Sequence, residues 1–413
     1  SPFWKPHRAN WKNMKANKNV LILFFSMIVV MLGFGLVIPI LPFYVKSFGA
    51  GGSELGALMS IYGILQFIFA PIWGGLSDRY GRKPILMLGI LGNAISQLLF
   101  GLSTQLWMLF AARTMAGMLS SATLPTAMAY IGDSTSEDER GGGMGMIGAA
   151  MGIGMVLGPG MGGLLAGRSL SLPFFLAAAL SMAALILVAV TLPEAPQKAA
   201  SQPGKKSSRL AALTQALVGP LGVLFFMAFL LSFGLTNFEG VFGLYAADQY
   251  GYGPQQVGLL LMMIGVISAA IQGALAGRLI RRWGEVRIIR VSLFTTAVFF
   301  VLLTQASNTI QVILTVSGFI FSNAMLNPSV ASLVSKRAVE GQGVTMGLNN
   351  AFLSLGRIFG PLWAGWVYDI NFRFPYLTGA VITAGGFLIS LWGLAMHPGV
   401  TSGQGQPAEQ EGV

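Results

Sequence analysis

Cysteine is missing altogether from this 413-residue chain, histidine occurs twice, and only 9% of the residues are charged. Without cysteine there are neither disulfides nor thiolate metal sites, and cysteine usage says nothing about redox compartment. His7 and His397 lie outside every apolar segment, which excludes a histidine metal cluster or a His-based triad within a membrane. Neither a G-x-S-x-G nor a P-loop pattern occurs in the connections, so no enzyme activity, ATP hydrolysis, metal or organic cofactor is expected. A soluble domain carries about 25% charged residues. This chain is 54% hydrophobic, with a mean hydropathy of +0.70, and cannot cover itself for water.

What it has instead is a series of long apolar runs. About twelve segments are long enough to cross hydrocarbon as helices. They lie at about 20–45, 54–76, 84–103, 106–131, 142–166, 171–192, 217–247, 255–279, 286–305, 309–334, 343–369 and 373–396. The first run is about twice the length of the apolar part of a secretory signal and has no small-residue cleavage pattern behind it, so it reads as a retained span. The net charge of +11 is distributed by topology. Of the 25 Lys and Arg, 20 fall in the leader and in alternate connections, Lys46, Arg168 and Arg373 fall in the others, and Arg113 and Arg357 lie within spans. The positive-inside rule then places both termini in the cytoplasm of a multi-pass protein of the cell's inner (cytoplasmic) membrane. It also accounts for the basic charge without nucleic acid as a partner.

The Pro- and Lys-containing stretch 193–216 reads as a cytoplasmic linker between two hydrophobic halves. The expected organisation is a basic leader (1–19), a six-helix bundle (20–192), the linker, a second six-helix bundle (217–396) and a disordered tail (397–413). The halves repeat each other. Gly74-Gly75-Leu76-Ser77-Asp78-Arg79-Tyr80-Gly81-Arg82-Lys83-Pro84 follows span 2, and Gly273-Ala274-Leu275-Ala276-Gly277-Arg278 follows span 8. Gly154-x-x-x-Gly158-Pro159-x-x-Gly162-Gly163 in span 5 is matched at nearly the same offset by Gly356-x-x-x-Gly360-Pro361 in span 11. Six spans return the chain to its starting face, so the repeats are parallel, an arrangement on which rocking transporters are built. The expected fold is all-α, with twelve membrane helices in two pseudo-symmetric bundles.

The run from Gly74 to Pro84, the Leu109-x-x-x-Arg113-x-x-x-Gly117 pattern of span 4 and the span 5 glycine-proline pattern resemble motifs A, B and C of the major facilitator superfamily. Motif C marks its drug:proton antiporter branch. Gly33-Phe34-Gly35-Leu36-Val37-Ile38-Pro39 in span 1 and Leu231-Ser232-Phe233-Gly234-Leu235-Thr236-Asn237-Phe238-Glu239 in span 7 are similar to Gram-positive multidrug exporters of the NorA and Bmr type. The resemblance covers the chain outside leader, linker and tail. It implies export of amphipathic, often cationic, small molecules by alternating access, with the proton as coupling ion. A lipid, sugar or endogenous metabolite as cargo is the alternative, because a fold does not choose its ligand. Small hydrophobic molecules and the bilayer are the expected partners, with a monomer as the working unit.

Glu239 is the one acid deep inside a span, where a carboxylate must be protonated, paired or hydrated. It is the natural proton carrier. Ser232, Thr236 and Glu239 share a helical face and suggest a polar stripe toward a central cavity. Where related exporters often carry a second acid in span 10, this chain has Asn323 and Asn327. Arg113 needs a partner or water; the resemblance implicates it in proton coupling, and one form of that is an approach to Glu239. Arg357 is open to several roles: neutralising Glu239 or Asp369, lining the substrate route, or snorkelling.

For motif A, the resemblance implies a conformational gate formed by Gly74, Asp78, Arg79, Gly81 and Arg82, in which Asp78 engages a neighbouring helix N-terminus when the cytoplasmic side is closed. Glu137, Asp138 and Glu139 are candidate acceptors for Arg82 or Lys83. For motif C it implies a hinge between halves, made by Gly154, Gly158, Pro159, Gly162 and Gly163; ordinary close packing of small residues is the plainer reading. Candidate substrate contacts are Met31, Phe34, Ile38, Tyr62, Gln66, Phe238, Phe242, Asn323, Asn327, Asn349 and Asn350, since flexible and aromatic walls suit varied ligands and one buried acid suits cationic ones.

Overall fold

The computed structural model describes residues 18–195, 209–219, 221–338 and 342–394. Most of the expected leader, the centre of the linker and the tail lie outside the described residues. The first bundle consists of α1 (Lys18–Val37), α2 (Leu41–Ser47), α3 (Gly52–Tyr80), α4 (Arg82–Leu102), α5 (Leu106–Leu119), α6 (Thr123–Ser134), α7 (Glu137–Ala166) and α8 (Leu172–Thr191). A short helix, α9 (Arg209–Val218), stands where the sequence suggested linker throughout. The second bundle consists of α10 (Gly222–Tyr250), α11 (Pro254–Ala270), α12 (Ala276–Trp283), α13 (Glu285–Gln305), α14 (Thr309–Lys336), α15 (Gln342–Ile370) and α16 (Phe374–Gly393).

Ten helical stretches are long and apolar enough to cross a membrane. The other two of the twelve expected segments are α5–α6, divided by a 3-10 turn at Ser120–Ala122, and α15, which carries Asn349, Asn350 and Arg357. Both pack among the ten as further rods. The first expected span is also interrupted: Pro39 has no N–H to continue α1, and the chain turns there before α2 begins with Pro42 in its first turn. A π-turn at Ile271–Leu275 joins α11 to α12.

The repeat is visible in the packing. Within the first bundle α1 lies on α7 and α8, and α4 on α5 and α8; within the second α10 lies on α15 and α16, and α13 on α14 and α16. The bundles meet along two equivalent seams, α3 on α15 and α7 on α11.

These seams are closed at one end only. The face where α1 begins and α16 ends is here called the terminal face. Toward the opposite face a single apolar core runs through both bundles, joining Tyr44, Leu55, Leu58 and Phe174 to Phe238, Tyr245, Leu260 and Tyr376. Toward the terminal face the core splits. One cluster, with Leu23, Met27, Ile131 and Ile147, belongs to the first bundle, and another, with Leu224, Phe225, Leu293 and Phe352, to the second. The terminal-side glycines of the seam helices confirm the gap. A Cβ placed on Gly74, Gly75, Gly145, Gly148, Gly152, Gly273, Gly343 or Gly347 would meet nothing within 4 Å. The two bundles therefore enclose a cleft open to the terminal face.

Candidate functional site

At the opposite face, α3 approaches α15 backbone to backbone. A Cβ on Gly52 would lie 2.7 Å from the Gly365 carbonyl oxygen, and one on Gly56 would collide with the Pro361 carbonyl. On the second seam, a Cβ on Gly163 would lie 2.9 Å from the Gly258 Cα. Polar contacts lock the same face. The Asp369 carboxylate, at the end of α15, accepts from the backbone N–H groups of Gly52 (2.7 Å) and Ser53 (2.8 Å) in the first turn of α3. An anion there satisfies unpaired donors and complements the positive end of the helix. Lys46 pairs with Asp248 at 2.5 Å across the bundles, and the Tyr368 hydroxyl donates to the same carboxylate at 2.6 Å. Deeper, Ser60 on α3 donates to the Ile358 carbonyl on α15 at 2.6 Å.

Asp369 and Asp248 were not picked out as gate residues from the sequence. The available signal was symmetry: Asp369 ends α15 as Asp78 ends α3. Asp369→Asn removes the charge from two short bonds, each charge-assisted bond being worth about 1.5–3 kcal/mol. The expected result is a shift of the opposite face toward opening by about tenfold or more. With no native cysteine to interfere, double electron–electron resonance between spin labels at Ser47→Cys and Gln249→Cys will measure it. A distance distribution unchanged by Asp369→Asn would rule out the latch.

Motif A stands at the parted terminal face. Asp78 bonds within its own motif, to Arg82 at 2.5 Å, and Arg82 also reaches Asp133 at 2.8 Å and Ser77 at 2.6 Å. The acceptor from the α6–α7 region is thus Asp133, and Lys83 donates to the Ala189 carbonyl at 2.8 Å. Glu139, expected as an acceptor, is not among the described partners of Arg82 or Lys83, and the side chains of Glu137 and Asp138 lie outside the described residues. Glu194 was also unanticipated: its carboxylate accepts from the N–H groups of Arg82 (2.7 Å) and Lys83 (3.1 Å) and so caps α4. Gly81 turns the chain at φ +102°, a conformation that a side chain would strain, whereas Gly74 faces open space. Arg79 is exposed, with its guanidinium 5.5 Å from the Tyr80 ring centroid.

The motif C glycines divide between two partners. Gly154, Gly158 and Gly162 seat α1 within their own bundle: a Cβ on Gly154 would lie 2.6 Å from the Met31 Cβ, and one on Gly158 2.7 Å from the Gly35 Cα. Gly163 instead meets the other bundle, at Pro254 and Gly258 of α11. Pro159 lies within α7, with its ring toward Gly35 and its carbonyl toward Gly258. The second half repeats this pattern, Gly356 and Gly360 seating α10 while Gly365 meets α3.

The charged residues inside the spans gather where the open cleft meets the closed seam. Arg113 is 7% exposed, and its guanidinium carbon lies 4.6 Å from the Tyr62 ring centroid and 5.9 Å from that of Phe34. Those two rings pack 5.6 Å apart. The electrostatic partner of Glu239 is Arg357, not Arg113, and Tyr62 feels both arginines. This corrects the expected approach of Arg113 to the acid: Arg113 projects from α5 toward α1 and α3. Asp369 is likewise occupied elsewhere, which leaves Glu239 as the acid that Arg357 faces. Glu239 is half-buried and Arg357 exposed.

Ser232 and Thr236 do not extend this site. Thr236 donates to the Ser232 and Gly356 carbonyls, and Ser232 is buried against Gly356, so their face of α10 is packed on α15. Phe238 and Phe242 are also corrected. They are 0% and 1% exposed, in an aromatic core with Phe319 and Tyr376. Asn323 and Asn349 are buried, the latter with an unpartnered Oδ1, while Asn327 and Asn350 are exposed. Met31, Ile38 and Gln66 are half-buried, Met31 against Gly154 and Ile38 against the shared core.

Two parallel bundles, sealed at one face and parted at the other around a charged cleft, are the architecture of a multi-pass membrane transporter. The chain belongs to the Major Facilitator Superfamily, whose sequence profile matches residues 23–361 and, a second time, 224–411. It is 32% identical over 387 residues to Multidrug resistance protein 2 of Bacillus subtilis (strain 168), covering 92% of this chain and 97% of the relative. It is 30% identical over 375 residues to Quinolone resistance protein NorA of Staphylococcus aureus (strain COL), covering 91% and 96%. Among solved structures, the nucleoside transporter NupG aligns with a TM-score of 0.73 at 17% identity, over 91% of this chain and 98% of that one. A bacterial homologue of the human lysosomal transporter Spinster, in an inward-facing and occupied conformation, aligns with a TM-score of 0.77 at 12% identity, over 92% and 97%.

Proposed function

We propose that this protein is a proton-coupled multidrug exporter that moves amphipathic small molecules out of the cell by alternating access. The observation that carries this reading is the position of Glu239, a lone half-buried acid at the point where a one-sided cleft meets the closed seam. A carboxylate there is exposed to whichever side the cleft opens, so proton exchange follows conformation. The names of the relatives, a multidrug resistance protein and a quinolone resistance protein, support drug-like cargo.

In this reading the terminal face is cytoplasmic, as the basic connections require, and the structure corresponds to the state that loads cargo. Cargo enters the cleft while Glu239 is deprotonated. The α3–α15 and α7–α11 seams then part at the outer face and close at the inner one, where Asp78 is free to leave Arg82 for the N-terminal turn of α15. A proton from outside neutralises Glu239, cargo leaves, and the Asp369 and Lys46–Asp248 contacts re-form. The working unit is a single chain, since one chain supplies both bundles and the cleft.

Purified protein reconstituted in liposomes under an imposed pH gradient tests this. Amphipathic dyes such as ethidium are expected to accumulate against their gradient, and a protonophore to abolish the accumulation. Gradient-driven movement restricted to a lipid or a sugar would replace the cargo assignment. Dye movement indifferent to the protonophore would remove the coupling ion.

A further inference from the structure

The two halves of the chain part company at one place where their repeat calls for likeness. Gly81 and Gly284 both turn the chain at positive φ, and the ion pairs Arg82–Asp133 and Glu285–Lys336 follow them, each partner lying 203 residues beyond its counterpart. At the same offset Gly89 and Gly92 of α4 correspond to Ser292 and Thr295 of α13. In the first bundle those glycines let α5 and α6 close on α4. A Cβ on Gly92 would collide with the Leu119 side chain, and one on Gly89 would lie 2.6 Å from the Thr123 hydroxyl. In the second bundle the Ser292 and Thr295 side chains stand between α13 and α14 and leave a groove of about 420 Å³. Val291, Thr295 and Phe299 line it on α13, and Ser317, Gly318 and Phe321 on α14. α13 packs on α12, α14 and α16 of its own bundle, and Val291 and Phe321 are exposed, so the groove opens on the outer surface of that bundle.

The Thr295 hydroxyl bonds to the Ser322 Oγ at 2.7 Å and Ser322 donates to the Gly318 carbonyl at 2.9 Å, so these groups ask nothing of a ligand. What fills the groove in a membrane is hydrocarbon chain, since an empty void forfeits dispersion contacts along its walls. From Val291 to Phe299 it runs about 12 Å along α13, most of the half-thickness of a hydrocarbon core about 30 Å deep. Chains alone do not distinguish one lipid from another, because all are equally apolar. The choice is made at the terminal end. Arg287 is exposed on the same stripe of α13 as Val291, one turn nearer the terminal face. α12 crosses there, with Leu279 and Ile280 packed on Ile288, Ala324 and Met325, and carries Arg278, Arg281, Arg282 and Trp283, all exposed. None of these four arginines has an ion pair or a hydrogen bond among the described residues. Glu285, the acid in their midst, is held by Lys336 and Ser332. We propose that the groove binds one anionic phospholipid, its acyl chain between α13 and α14 and its phosphate on Arg287 and the arginines of α12. Guanidinium groups match phosphate oxygens two at a time, and Trp283 stands at the level of the headgroups, where indole rings settle. The inference goes beyond the exporter reading and does not depend on it, since transport is not its readout.

The absence of native cysteine permits a single reporter. Bimane on Val298→Cys, exposed beside Phe299, is quenched by a lipid that carries a nitroxide near the end of its chain. Ala179→Cys, exposed on α8 at a similar distance from the terminal face, is the control. Nitroxide-bearing phosphatidylglycerol and phosphatidylethanolamine are compared at equal mole fraction in nanodiscs holding the full chain. Phosphatidylglycerol is expected to associate about fivefold more strongly or better at Val298, and no more strongly than phosphatidylethanolamine at Ala179; one arginine beside an anionic lipid gives about that factor. Arg287→Gln is expected to lower the preference at Val298 about fivefold, and Arg287→Lys to keep it in part. Ser317→Phe, which fills the groove from α14 and leaves every arginine in place, is expected to bring the preference at Val298 down to that at Ala179. Equal quenching by the two lipids at Val298 overturns the proposal, and this needs neither the arginine nor the groove variant to fold. The same preference at Ala179 would mark a general attraction of the whole surface and overturns it too. A preference that survives Ser317→Phe, in protein that elutes as a single species, removes the groove as the seat of the chain and the proposal with it.

Discussion

Glu239→Gln is expected to abolish uphill transport while leaving the protein folded. The substitution keeps side-chain size and removes the titrating proton. For one proton exchanged per cargo molecule, a gradient of about one pH unit sustains about a tenfold concentration ratio, since tenfold corresponds to about 1.4 kcal/mol. The variant should settle at a ratio of about one in reconstituted vesicles, however long the gradient is held. Downhill exchange of labelled for unlabelled cargo should persist, because the seams and the Tyr62–Arg113 stack do not depend on the acid. Glu239 has no hydrogen-bond partner among the described residues whose loss would destabilise α10. Accumulation at the unaltered ratio would remove this carboxylate from the coupling scheme.

The second large effect is expected at Gly56. A Cβ there meets the Pro361 carbonyl group and would come within 3.3 Å of the Gly365 Cα, so the obstacle is the backbone of α15 and no rotamer relieves it. Forcing extra atoms into a packed contact costs about 1–3 kcal/mol. That corresponds to a change of about 5- to 150-fold in the balance between closed and open forms of this face. Gly56→Leu should therefore hold the opposite face open and reduce transport by about tenfold or more. The bundles themselves are spared, because the collision lies between them. A single reporter, Ser60→Cys, sits deep in the same seam, where Ser60 is 1% exposed. Its labelling by a membrane-impermeant maleimide should be slow in the unaltered background and fast with Gly56→Leu. Slow labelling together with normal transport would show that this seam does not gate.

Much of this architecture was legible in the sequence. The apolar runs set the rods, and the paired glycine patterns announced the parallel repeat. Two further consequences of those patterns were not legible. A glycine row shows that something packs closely but not what, and Gly154, Gly158 and Gly162 face α1 while Gly163, in the same stretch, faces the other bundle. Helical phase alone also misassigned Ser232 and Thr236, whose face is the one covered by α15. Phe238 and Phe242 lie close in sequence to the acid, yet they point into the aromatic core.

The charged residues show the same limit. Rarity in hydrocarbon singled out Glu239, Arg113 and Arg357, because each must be satisfied by something. Which group satisfies which depends on helix neighbours that only the fold supplies, and the acid faces Arg357 while Arg113 rests on aromatic rings. The latch at Asp369 was hidden for a different reason. Its donors are backbone N–H groups at a helix end, which leave no side-chain signature.

The two seams are built where glycine meets glycine, so that main chain touches main chain with few side chains between. A surface of that kind has few rotamers to freeze when it forms and few to release when it parts. Rocking then carries little friction of its own, and the timing of each swing passes to the charges in the middle, which must be balanced before either end can shut.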